Sequence, residues 1–178
     1  MQFDSETVPG VAARRPAQSK GFVLNHSMLR VKDPAVALAF YTGVMGMRLL
    51  RKLDFPEMKF SLYFLARLED DTPVPADVSE RTRWTFSQQG ILELTHNWGT
   101  EADEAFSYHD GNAQPQGFGH ICFSVPDLAA AVRWFDENQV VFVKRPEQGK
   151  MRNVAFIKDP DGYWIEIVQA DLLGELGR

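Results

Sequence analysis

Apolar and polar positions along the chain switch between a two-residue and a helical period, and the switches divide it into elements. From His26, alternate residues fall into His26, Met28 and Arg30 on one face and Ser27, Leu29 and Val31 on the other, so 22–31 predicts a strand with one polar face. Asp33-Pro34 supplies an N-cap and a proline preset for a first helical turn. Val36, Ala37, Phe40, Tyr41 and Val44 follow at helical spacing, and Gly46 ends the run. Two β-rich segments come next, at 47–54 and 59–66, then a polar insert at 67–82 and a strand at 90–95. The stretch 97–117 is rich in Gly, Asn, Asp and Gln and reads as a long loop, of a length that is functional or disordered.

The pattern then returns. Residues 119–125 predict a strand, and Pro126-Asp127 opens a helix with Ala130, Ala131, Trp134 and Phe135 on one stripe. Strand-like runs follow at 140–145 and 153–158, Asp159-Pro160-Asp161-Gly162 makes a turn, and Tyr163–Val168 closes the series. His26 precedes Asp33 by seven residues, as His120 precedes Asp127. Phe40 and Trp134 each follow their histidine by 14. Each copy ends on a Gly-led apolar strand with a single Glu, Glu93 in GILEL and Glu166 in GYWIEI. Two βαβββ repeats, about 22–98 and 118–169, therefore predict an α+β fold. A four-stranded sheet with one helix leaves a face bare, so two such sheets curl around a cleft. The predicted organisation is an N-terminal arm over 1–20, one domain over 21–170 and a tail over 171–178.

Composition narrows the function classes. The 178 residues carry a formal charge of −5, which argues against a phosphate-backbone binder. Cys122 is the one cysteine, so neither an intrachain disulfide nor a CxxC metal knuckle is available. No apolar run approaches the ~18 residues of a membrane span, and residues 1–20 lack the apolar core of a secretory signal, so the cytoplasm is the default expectation.

Each repeat offers one His on its first strand and one Glu on its last. If those strands are neighbours, His26, Glu93, His120 and Glu166 converge on one concave surface. Two imidazoles and two carboxylates suit a divalent transition metal, and the two negative charges balance the ion. A lone His at a strand start is more often a hydrogen-bonded rim residue, and a lone Glu on a half-buried strand usually faces water. Repetition of the pair is what points to a metal. His96 and His109 read as surface or supporting residues, and Cys122 as a small buried thiol rather than a soft ligand. Phe55, Phe60, Phe64, Trp98, Phe118 and Trp164 are pocket walls or core.

Five segments carry a resemblance: NHSMLRVKDP (25–34), DFPEMKFSLYFLA (54–66), LELTHNWGTE (92–101), GFGHI (117–121) and KDPDGYWIEI (158–167). Together they resemble the glyoxalase I family in its long, eukaryotic-like form, over about residues 22–169. The resemblance implies the vicinal-oxygen-chelate fold and a homodimer with the metal held between chains. It implies His26, Glu93, His120 and Glu166 as ligands, with Glu166 the principal base and Glu93 its symmetric partner. The reaction implied is conversion of the methylglyoxal–glutathione hemithioacetal to S-D-lactoylglutathione. Arg30 and Asn97 would hold one end of glutathione, and Lys144, Lys150 and Met151 the other. Zn²⁺ is favoured by the long loops, with Ni²⁺ or Co²⁺ compatible. Where the family commonly has Arg before GFGH this chain has Gln116, and Arg145 or Arg152 are candidates to replace that cation. Two other readings are a ring-cleaving dioxygenase with two His and one Glu, and a binding module lacking the metal set.

Overall fold

In a computed structural model, which describes residues 8–12 and 14–174, each half of the chain builds its own four-stranded sheet. The first contains β1 (His26–Arg30), β2 (Arg48–Phe55), β3 (Phe60–Ala66) and β4 (Ile91–Asn97), in the order β1-β4-β3-β2. The second contains β5 (His120–Ser124), β6 (Phe142–Lys144), β7 (Val154–Lys158) and β8 (Trp164–Val168), in the order β5-β8-β7-β6. A helix carries the chain from the first strand of each half to the far edge of its sheet. The remaining strands then meander back, so the last strand lies parallel to the first.

Those helices start where the sequence places their caps. Asp33 Oδ1 accepts from Ala35 N at 2.8 Å and opens α1 (Pro34–Ala39), and Asp127 Oδ1 accepts from Ala130 N at 2.8 Å and opens α3 (Leu128–Glu137). α1 continues as a π-helical turn over Phe40–Val44. One core joins the halves: Leu29, Val31, Tyr41, Leu92 and Leu94 pack in the same cluster as Phe135, Ile157, Ile165 and Ile167. Burying each such side chain stabilises the fold by about 1.5–3 kcal/mol. Polar ties cross the same seam. Tyr41 Oη donates to Asp159 Oδ2 (2.8 Å), Lys32 N to Asp161 Oδ1 (2.8 Å), and Trp134 Nε1 to Val44 O (2.9 Å).

Two expectations are corrected. The predicted strand 22–31 begins only at His26, with Phe22 and Leu24 exposed and outside any ladder. The insert 67–82, expected to be merely polar, leads into α2 (Val78–Ser87), capped by Asp77 Oδ1 on Glu80 N at 2.8 Å. This helix packs near the face of the first sheet turned away from the shared core. There Leu50, Phe64, Ala66 and Ile91 form a second cluster with Trp84 and Val74. The loop 97–117 is ordered locally by Gly111 (φ +86°), where a Cβ would lie 1.8 Å from Phe118 O. Parts of the predicted arm (1–7 and 13) and tail (175–178) lie outside the described residues.

Candidate metal and substrate site

The two His–Glu pairs are built by the same cross-strand offset. Met28 faces Glu93 in the β1–β4 register, and Cys122 faces Glu166 in the β5–β8 register. Each histidine stands two residues before that partner, on the same face of its strand. His26 Nε2 lies 3.1 Å from Glu93 Oε2, and His120 Nε2 lies 3.3 Å from Glu166 Oε2. Phe64 faces Glu93 and Phe156 faces Glu166 from the next strand, each edge-on to its histidine at 5.8 and 5.3 Å.

The donor set fits a first-row divalent ion. Nitrogen and oxygen ligands bound at ~2.0–2.2 Å sit roughly 3.0–3.5 Å apart on neighbouring positions, the spacing of both pairs. His26 is also in the ligating tautomer. Its Nδ1 lies 2.8 Å from Asn25 Oδ1, while Asn25 Nδ2 donates to Thr85 O and Gln88 O at 3.0 and 2.8 Å. With the amide nitrogen so engaged, Asn25 offers an acceptor to Nδ1–H, the arrangement that turns Nε2 toward Glu93 as the ring's ligating nitrogen.

The four residues do not meet in one chain. Among the described residues, no three His, Cys, Asp or Glu side chains gather as a metal cluster. The expected convergence on one concave surface within a single chain is therefore corrected: each sheet carries one His–Glu pair, because each pair is confined to the first and last strands of its own sheet.

The family match follows this geometry. Residues 23–167 match the Glyoxalase/Bleomycin resistance protein/Dioxygenase superfamily. A lactoylglutathione lyase of Pseudomonas aeruginosa is 58% identical over 178 residues, covering 100% of this chain and 99% of that protein. The chain belongs to the glyoxalase I family. Glyoxalase I of Saccharomyces cerevisiae is 44% identical over 94% of the chain, which spans 51% of the yeast protein. The solved trypanothione-dependent glyoxalase I of Leishmania major superposes with a TM-score of 0.63 at 30% identity, covering 84% of this chain and 88% of that one.

Within this glyoxalase I fold, the residues expected to hold a thiol substrate separate by sheet. Arg30 and Asn97 belong to the first, with Arg30 exposed and Asn97 Nδ2 donating to Tyr108 Oη at 3.0 Å. Lys144 ends β6 in the second, and Lys150 and Met151 are exposed on the turn beyond it. Lys144 Nζ donates to Met151 O (2.7 Å) and Val154 O (2.5 Å), so it pins this turn to β7. Gln116 is exposed, and Arg145 pairs with Asp136 (2.5 Å), which takes it out of the role of replacement cation.

Two expectations about neighbouring residues change. His96 is buried and paired with Glu101 Oε2 at 2.7 Å, which also accepts from Gly99 N, so it staples the turn after β4. Cys122 is exposed rather than buried in the core. Desolvation and its hydrogen bond to Glu166 push its thiol up to about 11. Sequence reasoning missed Asn25 and Thr95 altogether. The available signals were an amide directly before the strand histidine and a hydroxyl two residues after Glu93 on the same strand face.

Proposed function

We propose that this chain isomerises the methylglyoxal–glutathione hemithioacetal to S-D-lactoylglutathione, at a site that two copies complete together. The observation that carries this is the duplicated His–Glu pair at ligand spacing, two donors per sheet and never three together. His26 and Glu93 of one copy and His120 and Glu166 of a second would hold one divalent ion, with Zn²⁺ favoured and Ni²⁺ or Co²⁺ suited to the same donors. Glyoxalase I enzymes are metal-dependent, and a bound divalent ion supplies stabilisation for negative charge on the two substrate oxygens.

The chain's own residues do the rest. Glu166, half-buried and next to solvent, takes the proton from the carbon that carries the hydroxyl and sulfur. It returns a proton to the neighbouring carbonyl carbon while the hydroxyl proton passes from the first carbon's oxygen to the second's, so the hydroxyl carbon becomes the thioester carbonyl, the former carbonyl carbon becomes the carbinol, and no atoms are gained or lost. Phe156, the ladder partner of Glu166, packs 5.8 Å from Trp164 beside that residue. Arg30 and Asn97 from one sheet, with Lys150 and Met151 from the other, would meet the anionic ends of glutathione, and Lys144 holds their turn in place. Residues 21–170 would form the catalytic domain, working in the cytoplasm. Among the described residues, no helix is long and apolar enough to cross a membrane.

The test is a spectrophotometric assay of thioester formation with methylglyoxal and glutathione, on enzyme stripped by chelator and reloaded with Zn²⁺ or Ni²⁺. Activity should vanish on stripping and return with metal. Activity that survives stripping would sink the metal reading. For the shared site, Glu93→Gln and Glu166→Gln chains are unfolded and refolded as a mixture: each mixed dimer keeps one intact site, so activity should reappear. No recovery in the mixture would place all four ligands in one chain's own site.

A further inference from the structure

The two His–Glu pairs share residue types and register, yet their carboxylates meet different donors. Glu93 Oε1 accepts from Thr95 Oγ1 at 3.0 Å, while its Oε2 faces His26 Nε2 at 3.1 Å. Oε1 thereby has a hydroxyl donor, and Glu93 and Thr95 are each only 8% exposed. Thr95 stands two residues beyond Glu93 on β4, on the same strand face. The same place on β8 is Val168, which carries no hydroxyl. Glu166 is half-buried and has the weakly donating Cys122 thiol beside it.

We propose that Thr95 is a positioning residue: its hydroxyl locks the Glu93 carboxylate, which makes Glu93 the fixed ligand and leaves Glu166 as the carboxylate free to move with the proton. The inference rests on the metal-site reading above and assigns the division of labour within it. A carboxylate tied through Oε1 cannot turn about its last side-chain bond, so it presents Oε2 in one direction. A base that collects a proton at one carbon and delivers it to the next needs that turn. Two like carboxylates in one site thus differ in their donors, a hydroxyl from Thr95 on β4 against only the weaker Cys122 thiol beside Glu166 on β8.

Three variants of the full-length holoenzyme test it, read by competition for metal with a fluorescent chelator and by steady-state kinetics. Thr95→Val, close to isosteric, should loosen the metal about 10–100-fold, the usual effect of losing a group that orients a ligand. Thr95→Ser, which keeps the hydroxyl, should restore it. Val168→Thr should tie Glu166 in the same way, lowering kcat with little change in KM or metal affinity. Should Thr95→Val bind metal as tightly as the parent and differ only in thermal midpoint, Thr95 is structural and the proposal is wrong. Failure of Thr95→Ser to recover would overturn it equally. If Glu93→Gln itself left metal affinity unchanged, the metal-site reading would fail, not the role of Thr95 alone. Val168→Thr keeps the question open to an answer even if Thr95→Val does not fold.

Discussion

The first His–Glu pair sits on a sheet packed on both faces, and the second on a sheet whose site face is left open. Side-chain exposure follows: 33% and 11% for His26 and Glu93, against 39% and 20% for His120 and Glu166. Around the first pair, α2 covers the β2 edge, Asn25 joins His26 to the end of that helix, and Phe64 is buried to 1%. Around the second, Gly119 stands where Asn25 stands, Val168 where Thr95 stands, and Phe156 is half-buried where Phe64 is buried. A duplicated His–Glu pair has kept its residue types while its surroundings diverged. One half is braced to hold, and the other has room to move.

The sharpest way to break this comparison is to neutralise each carboxylate in turn. Glu166→Gln should retain metal and lower kcat by about 10²–10⁴-fold, the range for a lost general base. Glu93→Gln should release metal, as measured by metal content after gel filtration. Equal behaviour of the two variants would erase the division. The paired aromatics come next: Phe64→Ala should cost about 3–5 kcal/mol in a denaturant titration, as for a fully buried ring, and Phe156→Ala clearly less. Equal losses would mean that the second half is as well packed as the first.

A third difference is the Tyr41–Asp159 tie, for which the first half has an insert in place of the 159–162 turn. Burial pushes the Asp159 carboxyl up to about 6, above its ordinary 3.8, although the Tyr41 hydroxyl and two backbone N–H groups oppose the rise. The folded state therefore holds this proton more tightly than the unfolded chain. Stability attributable to the group is present below about 4 and is lost as pH rises through about 6, by roughly 3 kcal/mol. Asp159→Asn should remove that decline from a stability profile between pH 4 and 7, and an unchanged profile would discount the group. Smallest is Asn25→Ala, which removes the side-chain donor to Thr85 O and Gln88 O, the former keeping only Gln88 N, and should cost about 1–2 kcal/mol in thermal or denaturant unfolding. A variant as stable as the parent would show that α2 does not brace His26.

Most of the fold was legible because its strands and two of its helices advertise themselves by period and cap. Asp33 and Asp127 each announce a helix, and the alternation through His26–Arg30 and His120–Ser124 marks which side chains share a face. Helix α2 was not legible because Thr85 is its only buried residue, so it carries no apolar stripe to read. His96 was misplaced for a related reason: its partner Glu101 lies beyond a turn at Gly99, and alternation along β4 does not reveal what covers its inner face.

The sequence by itself determined the repeat, the four candidate ligand residues and the strand face each occupies, because spacing along a strand or helix is a local property. Tertiary structure alone decided three things. The two pairs stay on separate sheets, Asn25 reaches across 60 residues to Thr85, and Thr95, not Val168, meets a carboxylate. The last rests on where a side-chain rotamer points, and the others on how distant segments pack. Neither is encoded in the period of the chain.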